Sequence, residues 1–364
     1  MPSRTSPVVR HASRSRARRA VPALALLLLA GGLAACSSDD DAAPEDTRGV
    51  AAADGLVRAA VASLPTTAHD EFVLMVADLD RATELGGLSR PDDPSDEDAF
   101  MTWLLELSGT RGGDLAVEVP DIFGGASVRE QDEVADEIGT WMGDARWFAE
   151  LSAPPSRVSV VEGPIDVAHL EATYGADGAD GDGGRWKVGE GDDHWSDLAN
   201  RTAVRPLGQP LHLDVEGDRL TASFTEPDLE LALARDRGSA SALAVAEALD
   251  AHDVYTARIV AGNLAGGASA LPGAFDTVAI GMTGEDGDVQ VVAAYAHADA
   301  SDARANADAV ATAIVDDPQA PPLEVTGTEV DGEVLTVTFR VTDDGPPRVA
   351  WSVLLNRAPV FSHR

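Results

Sequence analysis

Along most of the chain, apolar positions recur either at helical spacing or as short β-rich runs, and turn-forming residues separate the two. Val57, Ala60, Val61 and Leu64 follow a capping Asp54 at helical intervals, and Pro65 stops the run. Phe72 to Ala77 reads as a buried strand. Asp78 then caps a helix through Leu79, Ala82 and Leu85 that ends at Gly86-Gly87. Two capping boxes follow. Ser95 with Asp98 opens a helix burying Phe100, Trp103, Leu104 and Leu107, and Ser127 with Glu130 opens one burying Val134, Ile138, Trp141 and Met142. Trp147-Phe148 extends that apolar surface, Pro154-Pro155 breaks the chain before a strand from Arg157 to Val161, and a helix starts at Pro164.

Residues 175–184 contain only glycine, alanine and aspartate, so they predict an exposed loop. Leu211–Val215 and Leu220–Phe224 alternate on either side of Gly217-Asp218 as a hairpin. Thr225 with Asp228 boxes the next helix, Ser239 or Ser241 caps another to about Leu249, and Val254–Ala261 is a strand. Thr277–Met282 pairs with Val289–Tyr295, a helix runs from Asp299, Leu323–Val330 pairs with Val334–Val341, and Trp351–Leu355 is a last apolar strand. The fold class is α+β, with antiparallel hairpins alternating with helices packed on one sheet face, in one or two lobes. The expected divisions are a signal peptide over 1–35, an acidic spacer over 36–53, an α+β lobe over 54–261 and a C-terminal α+β lobe over 274–364. The small-residue stretch 262–273 links the two lobes.

The N-terminus follows neither rhythm. Arg14, Arg16, Arg18 and Arg19 precede an apolar run from Val21 to Leu29 that is too short to span a bilayer, and Leu33-Ala34-Ala35-Cys36 follows. Those four residues resemble the lipobox of bacterial lipoproteins, and Cys36 is the only cysteine in the chain. The resemblance implies cleavage before Cys36, acylation of Cys36 and attachment through that lipid to the outer face of the cytoplasmic membrane. The abundance of alanine and glycine, with Lys187 as the sole lysine, resembles actinobacterial lipoproteins of undefined activity. That likeness carries over no functional residue beyond Cys36.

Loss of residues 1–35 takes six of the 27 basic side chains and no acid, leaving 21 against 62 acids and a formal charge of −41. This argues against nucleic acid as a partner and against attraction to anionic lipid, so attachment rests on the acyl chains. With no cysteine pair, stability in an oxidising compartment uses no disulfide.

The chemistry-bearing residues are sparse. Gly-x-Ser-x-Gly, a Walker loop and a strand-to-helix Gly-x-Gly-x-x-Gly are all absent, and the seven histidines after residue 35 stand more than five residues apart, so no zinc helix forms. The acids Asp177, Asp180 and Asp182 do not match a calcium loop, since Gly184 and Gly191 fall where ligands are needed. Asp192-Asp193-His194 offers two hard carboxylates and an imidazole beside Trp195 and is the one local candidate for a metal. A solvated turn fits these residues better. The sequence assigns no catalytic residue and no cofactor. It leaves two readings: a non-catalytic envelope binding module of unknown protein or small-molecule partner, and an extracytoplasmic enzyme or solute receptor with a cleft between lobes.

Overall fold

The computed structural model describes residues 55–362, except 125–127, 176–182, 194–195, 235–237, 263–268, 286–287, 317–321, 343–344 and 356–357. The signal, Cys36, the spacer, Asp54, Ser127, His194 and Trp195 lie outside the described residues, as does nearly all of the loop expected at 175–184.

The first helix, α1 (Leu56–Ser63), buries Val57, Ala60 and Val61, as the spacing predicts. Strand β1 (Phe72–Asp78) leads into α2 (Leu79–Leu85), whose first-turn amide at Arg81 is capped by Asp78. Helix α3 (Glu97–Leu107) buries the four predicted residues, but its cap is Asp96. Both the amide and the hydroxyl of Ser95 are bonded to Asp93, which removes Ser95 from the capping position. Then come α4 (Gln131–Ile138), β2 (Trp147–Ala153), β3 (Ser156–Glu162), α5 (Val167–Tyr174), β4 (Gly183–Val188), β5 (Leu211–Glu216) and β6 (Arg219–Ser223). Helix α6 (Glu226–Leu233) is capped by Thr225 and α7 (Ala240–Asp250) by Ser239. The chain closes with β7 (Thr256–Ala261), β8 (Phe275–Glu285), β9 (Asp288–His297), α8 (Ala300–Asp316), β10 (Leu323–Asp331), β11 (Val334–Val341) and α9 (Val349–Leu355).

Strands β2 and β4 have no counterpart in the pattern analysis. β2 is buried on both sides at nearly every position, so it shows no alternation. The run expected as a strand at Trp351–Leu355 is a helix. Ala350, Trp351 and Leu354 are buried along it, a three-to-four spacing that a short apolar run accommodates as readily as an extended one.

Among the described residues eleven strands form one sheet in the order β10-β11-β9-β8-β7-β1-β2-β3-β6-β5-β4, and every neighbouring pair is antiparallel. The architecture is α+β, with helices on both faces rather than on one. Phe72, Leu74 and Val76 of β1 pack with α1 and α7 on one face, while Ala77, Phe148 and Val278 pack with α3, α4, α8 and α9 on the other. The physical reason lies in the central strands. Their apolar residues do not alternate with polar ones, so an uncovered face would leave half of them in water. The stretch 262–273 joins adjacent strands, with β7 and β8 paired from Thr256–Met282 to Ala261–Thr277, so the two segments share one sheet and one core.

Two polar clusters fasten helices, one to this sheet and one to a neighbouring helix. His297 sits at the end of β9 with its Nδ1 bonded to the Glu333 carbonyl at 3.0 Å. Its Nε2 accepts from Asn306 of α8 at 2.9 Å, so the ring is a neutral core histidine, and burial lowers its pKa accordingly. At α1 the capping residue is Gly55, which has no side chain to offer. Asp250, 193 positions away at the end of α7, accepts from the amides of Val57 and Arg58 at 2.9 Å each. Asp250→Ala removes this long-range cap and should cost about 1 kcal/mol, close to the loss of a local cap. Urea unfolding should show a lower midpoint with an unchanged slope.

Candidate functional site

Of the proposed metal cluster, the described residues include Asp192 and Asp193. Both oxygens of Asp193 are already engaged. One meets Nε2 of His212 on β5 at 2.7 Å, and the other accepts from the Glu226 amide at the start of α6 at 2.9 Å. Burial pushes the Asp193 pKa up, but the amide and the histidine together bring it below the usual carboxylate range. Its partner is thus a histidine 19 residues on, and its role is to join the β4–β5 connection to α6. No group of three or more potential ligands gathers among the described residues.

The sheet instead brings together a pair of charges that the sequence analysis did not single out. Strand register aligns Ser159, Glu150, Met75 and Arg258 across β3, β2, β1 and β7. All four side chains therefore project from the same face. Glu150 and Arg258 are two strand spacings apart, roughly 10 Å. Both are buried in the face covered by α3 and α4. Two charges at such depth are costly unless each has polar partners.

Their partners come from one segment, 115–123, which runs irregularly to Pro120, closes in a 3-10 turn at Asp121–Phe123 and contributes Leu115, Ala116, Val117, Ile122 and Phe123 to the core. Arg258 Nη2 meets Glu118 Oε2 at 2.7 Å. Glu150 accepts from the amides of Asp121 and Ile122 at 3.3 Å each and from the Ser159 hydroxyl at 2.9 Å. Outside the row, Arg157 pairs with Asp121 at 2.6 Å, and Trp351 Nε1 donates to the Ala116 carbonyl at 2.6 Å. The segment is therefore a strap tied down by buried charges from the sheet and by an indole from α9. Burial raises the pKa of Glu150 against the opposing pull of Arg157, and it raises Glu118 against that of Arg258. Nε and Nη1 of Arg258 are buried with no partner among the described residues.

The N-terminal end of the strap forms one wall of a cavity of about 450 Å³. Its entrance is shaped where α3 ends in a Schellman turn: the Thr110 amide reaches the Leu105 carbonyl at 2.9 Å and the Gly109 amide reaches that of Glu106 at 3.0 Å. Gly109 has φ 65°, and a Cβ there would stand 2.2 Å from the Leu115 carbonyl oxygen, so only glycine lets the chain turn back this closely. Leu85, Leu88, Leu115 and Val289 give the cavity apolar walls, and Glu106, Arg111 and Asp114 give it charge. Arg111 and Glu106 are 3.9 Å apart and each about half exposed, so neither is fixed by the other. Tyr255 closes the inner end. It is fully buried and faces the backbone of Ala116, and desolvation pushes its phenol above the ordinary range. Lining residues come from both sides of 262–273, because β7 and β8 are neighbours. Walls of this composition suit a small molecule with both apolar and charged parts.

The clues to this site in the sequence were weak. Glu150 and Arg258 each interrupt an apolar run, Ala149-Glu150-Leu151 and Ala257-Arg258-Ile259, and a charge in such a run marks either a strand edge or a buried pair.

Two outcomes test the strap. The raised pKa of Glu150 means that the folded chain holds its proton after the unfolded chain, whose carboxyl titrates near ~4.3, has lost it. The stability this group contributes is full below that pH and declines as pH rises through the folded value. Wild-type stability relative to Glu150→Gln should therefore fall as pH rises above about 4.3 in urea titrations, and a constant difference would contradict the shift. For the ion pair, Glu118→Ala leaves Arg258 buried without its carboxylate and should cost about 3 kcal/mol. Adding Arg258→Met should restore much of that loss, read as a non-additive double-mutant cycle in the same titration.

No protein-family model matches the chain, and no curated protein matches it. Among solved structures, crystal form I of TP0453 aligns with a TM-score of 0.37 and 8% identity, covering 82% of this chain and 97% of that one. Crystal form III of TP0453 aligns with a TM-score of 0.36 and 7% identity, covering 81% and 97%. Likenesses of this size carry no argument about what the chain does.

Proposed function

We propose that the chain is a lipid-anchored extracytoplasmic binding module, held by acylated Cys36 at the outer face of the cytoplasmic membrane. The observation that carries this reading is the order of the N-terminal residues. A basic stretch, a short apolar run and Leu33-Ala34-Ala35-Cys36 occur in the sequence that lipoprotein processing requires, and the chain has no other cysteine. No helix among the described residues is long and apolar enough to cross a membrane, and an acidic body gains nothing from anionic headgroups. Two or three acyl chains hold firmly where one holds marginally, at about 0.8 kcal/mol per buried methylene. A second reading, a small-solute receptor, is favoured by the cavity beside Tyr255, whose walls come from both sides of 262–273.

Cys36→Ser expressed in the native host should move the protein from the membrane to the soluble fraction. Metabolic labelling with a fatty acid should mark the wild type alone. Continued membrane fractionation of the variant would overturn the anchoring.

A further inference from the structure

A second cavity, about 730 Å³, lies on the other side of α4 from the strap's charges in sequence terms, between the end of β4 and the loop that precedes β5. Residues 189–191 and part of the segment 197–208 line it, including two guanidinium groups. Arg205 is the inner one. Its side chain is only 10% exposed, and its Nε is bonded to the equally buried carboxylate of Glu137. Its two terminal nitrogens are hydrogen-bonded to no described residue, although the side chain forms part of the cavity wall. Gly189 packs directly against that end and leaves it the room it occupies. It has φ 84°, and a Cβ at this position would stand 2.3 Å from Arg205 Nη1. The Arg205 backbone is fixed as well, since its amide donates to the Thr202 hydroxyl at 3.0 Å.

Arg201 is the outer group. It is exposed, lines the same cavity and makes no ion pair or side-chain hydrogen bond with a described residue. In a chain with 62 acids, a free guanidinium beside a buried one runs against the overall charge. Two carboxylates also line the cavity. Those of Asp197 are occupied by the Ala199 amide at 3.1 Å and the Asn200 side chain at 2.8 Å, while Glu190 stands exposed.

We propose that this cavity binds a small molecule through one oxyanion, a carboxylate or a phosphate, held between Arg205 and Arg201. Guanidinium nitrogens in a fixed plane match the geometry of such an oxyanion, and Glu137 holds that plane in place before the ligand arrives. Glu190 and the acidic body disfavour further negative charge, so the rest of the ligand is neutral or cationic. The proposal rests neither on the anchoring of Cys36 nor on the cavity beside Tyr255, so its failure leaves both untouched.

The test titrates the purified full chain with sodium acetate and with sodium phosphate against sodium chloride at constant ionic strength, followed by calorimetry and amide chemical shifts. At least one oxyanion should bind saturably where chloride does not, and the tighter of the two tells whether carboxylate or phosphate is the natural group. Arg201→Ala, which touches no buried partner, should weaken that binding about tenfold, the worth of one charge-assisted contact. Glu137→Met with Arg205→Met removes the buried pair together and should abolish binding. If that double variant loses its cooperative unfolding transition, Arg201→Ala alone decides. Saturation no better than with chloride, or Arg201→Ala binding as tightly as wild type, overturns the proposal.

Discussion

The burial of Glu150 and Arg258 on one row of the sheet is the constraint on which the rest of this face depends. An isolated buried charge costs several kcal/mol, and strand register sets Glu150 and Arg258 opposite Ser159 and Met75 rather than opposite a counter-ion. The strap 115–123 supplies what they lack, with the Glu118 carboxylate for one and a pair of backbone amides for the other. This dependence is mutual. A segment outside the sheet ladder would leave some of its own amides unsatisfied on a buried surface, and Glu150 accepts the two that open its 3-10 turn at Asp121–Phe123. The strap in turn places Leu115 and the Ala116 backbone, and so sets the inner wall of the cavity beside Tyr255.

The opposite face is held differently. There α1 and α7 lie on small side chains, Ala279, Ala294 and Ala296 against Ala242, Val245 and Ala246. Close approach of backbones through small residues gives dense dispersion contact without the need for polar links. The polar contacts on this side sit at the helix ends, where Asp250 caps α1 and the Ser241 hydroxyl accepts from Thr277 at 2.9 Å. One face is thus specified by apolar packing, and the other by packing together with a few buried charges. Chemistry-bearing side chains concentrate on the second.

The excess of acid shapes the surface more than the fold. Most of the described arginines are paired with Asp or Glu, as in Arg81 with Asp253, Arg146 with Asp218 and Arg185 with Asp214. Exposed pairs of this kind contribute little each. Their effect is to consume positive charge, which makes the open ends of Arg201 and Arg205 stand out within a single cavity.

How much could be read from the chain follows from range. Helix caps at Asp78, Thr225 and Ser239, the hairpins at Gly217-Asp218 and Asp331-Gly332, and the helical faces of α1, α3 and α8 depend on residues within four or five positions of one another, and local pattern located them. Where a competing local bond existed, as between Ser95 and Asp93, the pattern placed the cap one residue early. The sequence by itself also determined the net charge, the single cysteine and the lipobox-like order before it, since none of these needs a fold. Only the tertiary structure decided that both faces of the sheet are covered, that Trp351 lies in a helix, that Asp193 meets His212, and that Glu150 and Arg258 share a row. The shared row depends on register between strands far apart in the chain and the others on contacts made only once the chain has folded, and a charge inside an apolar run carries no mark of the partner that register will bring to it.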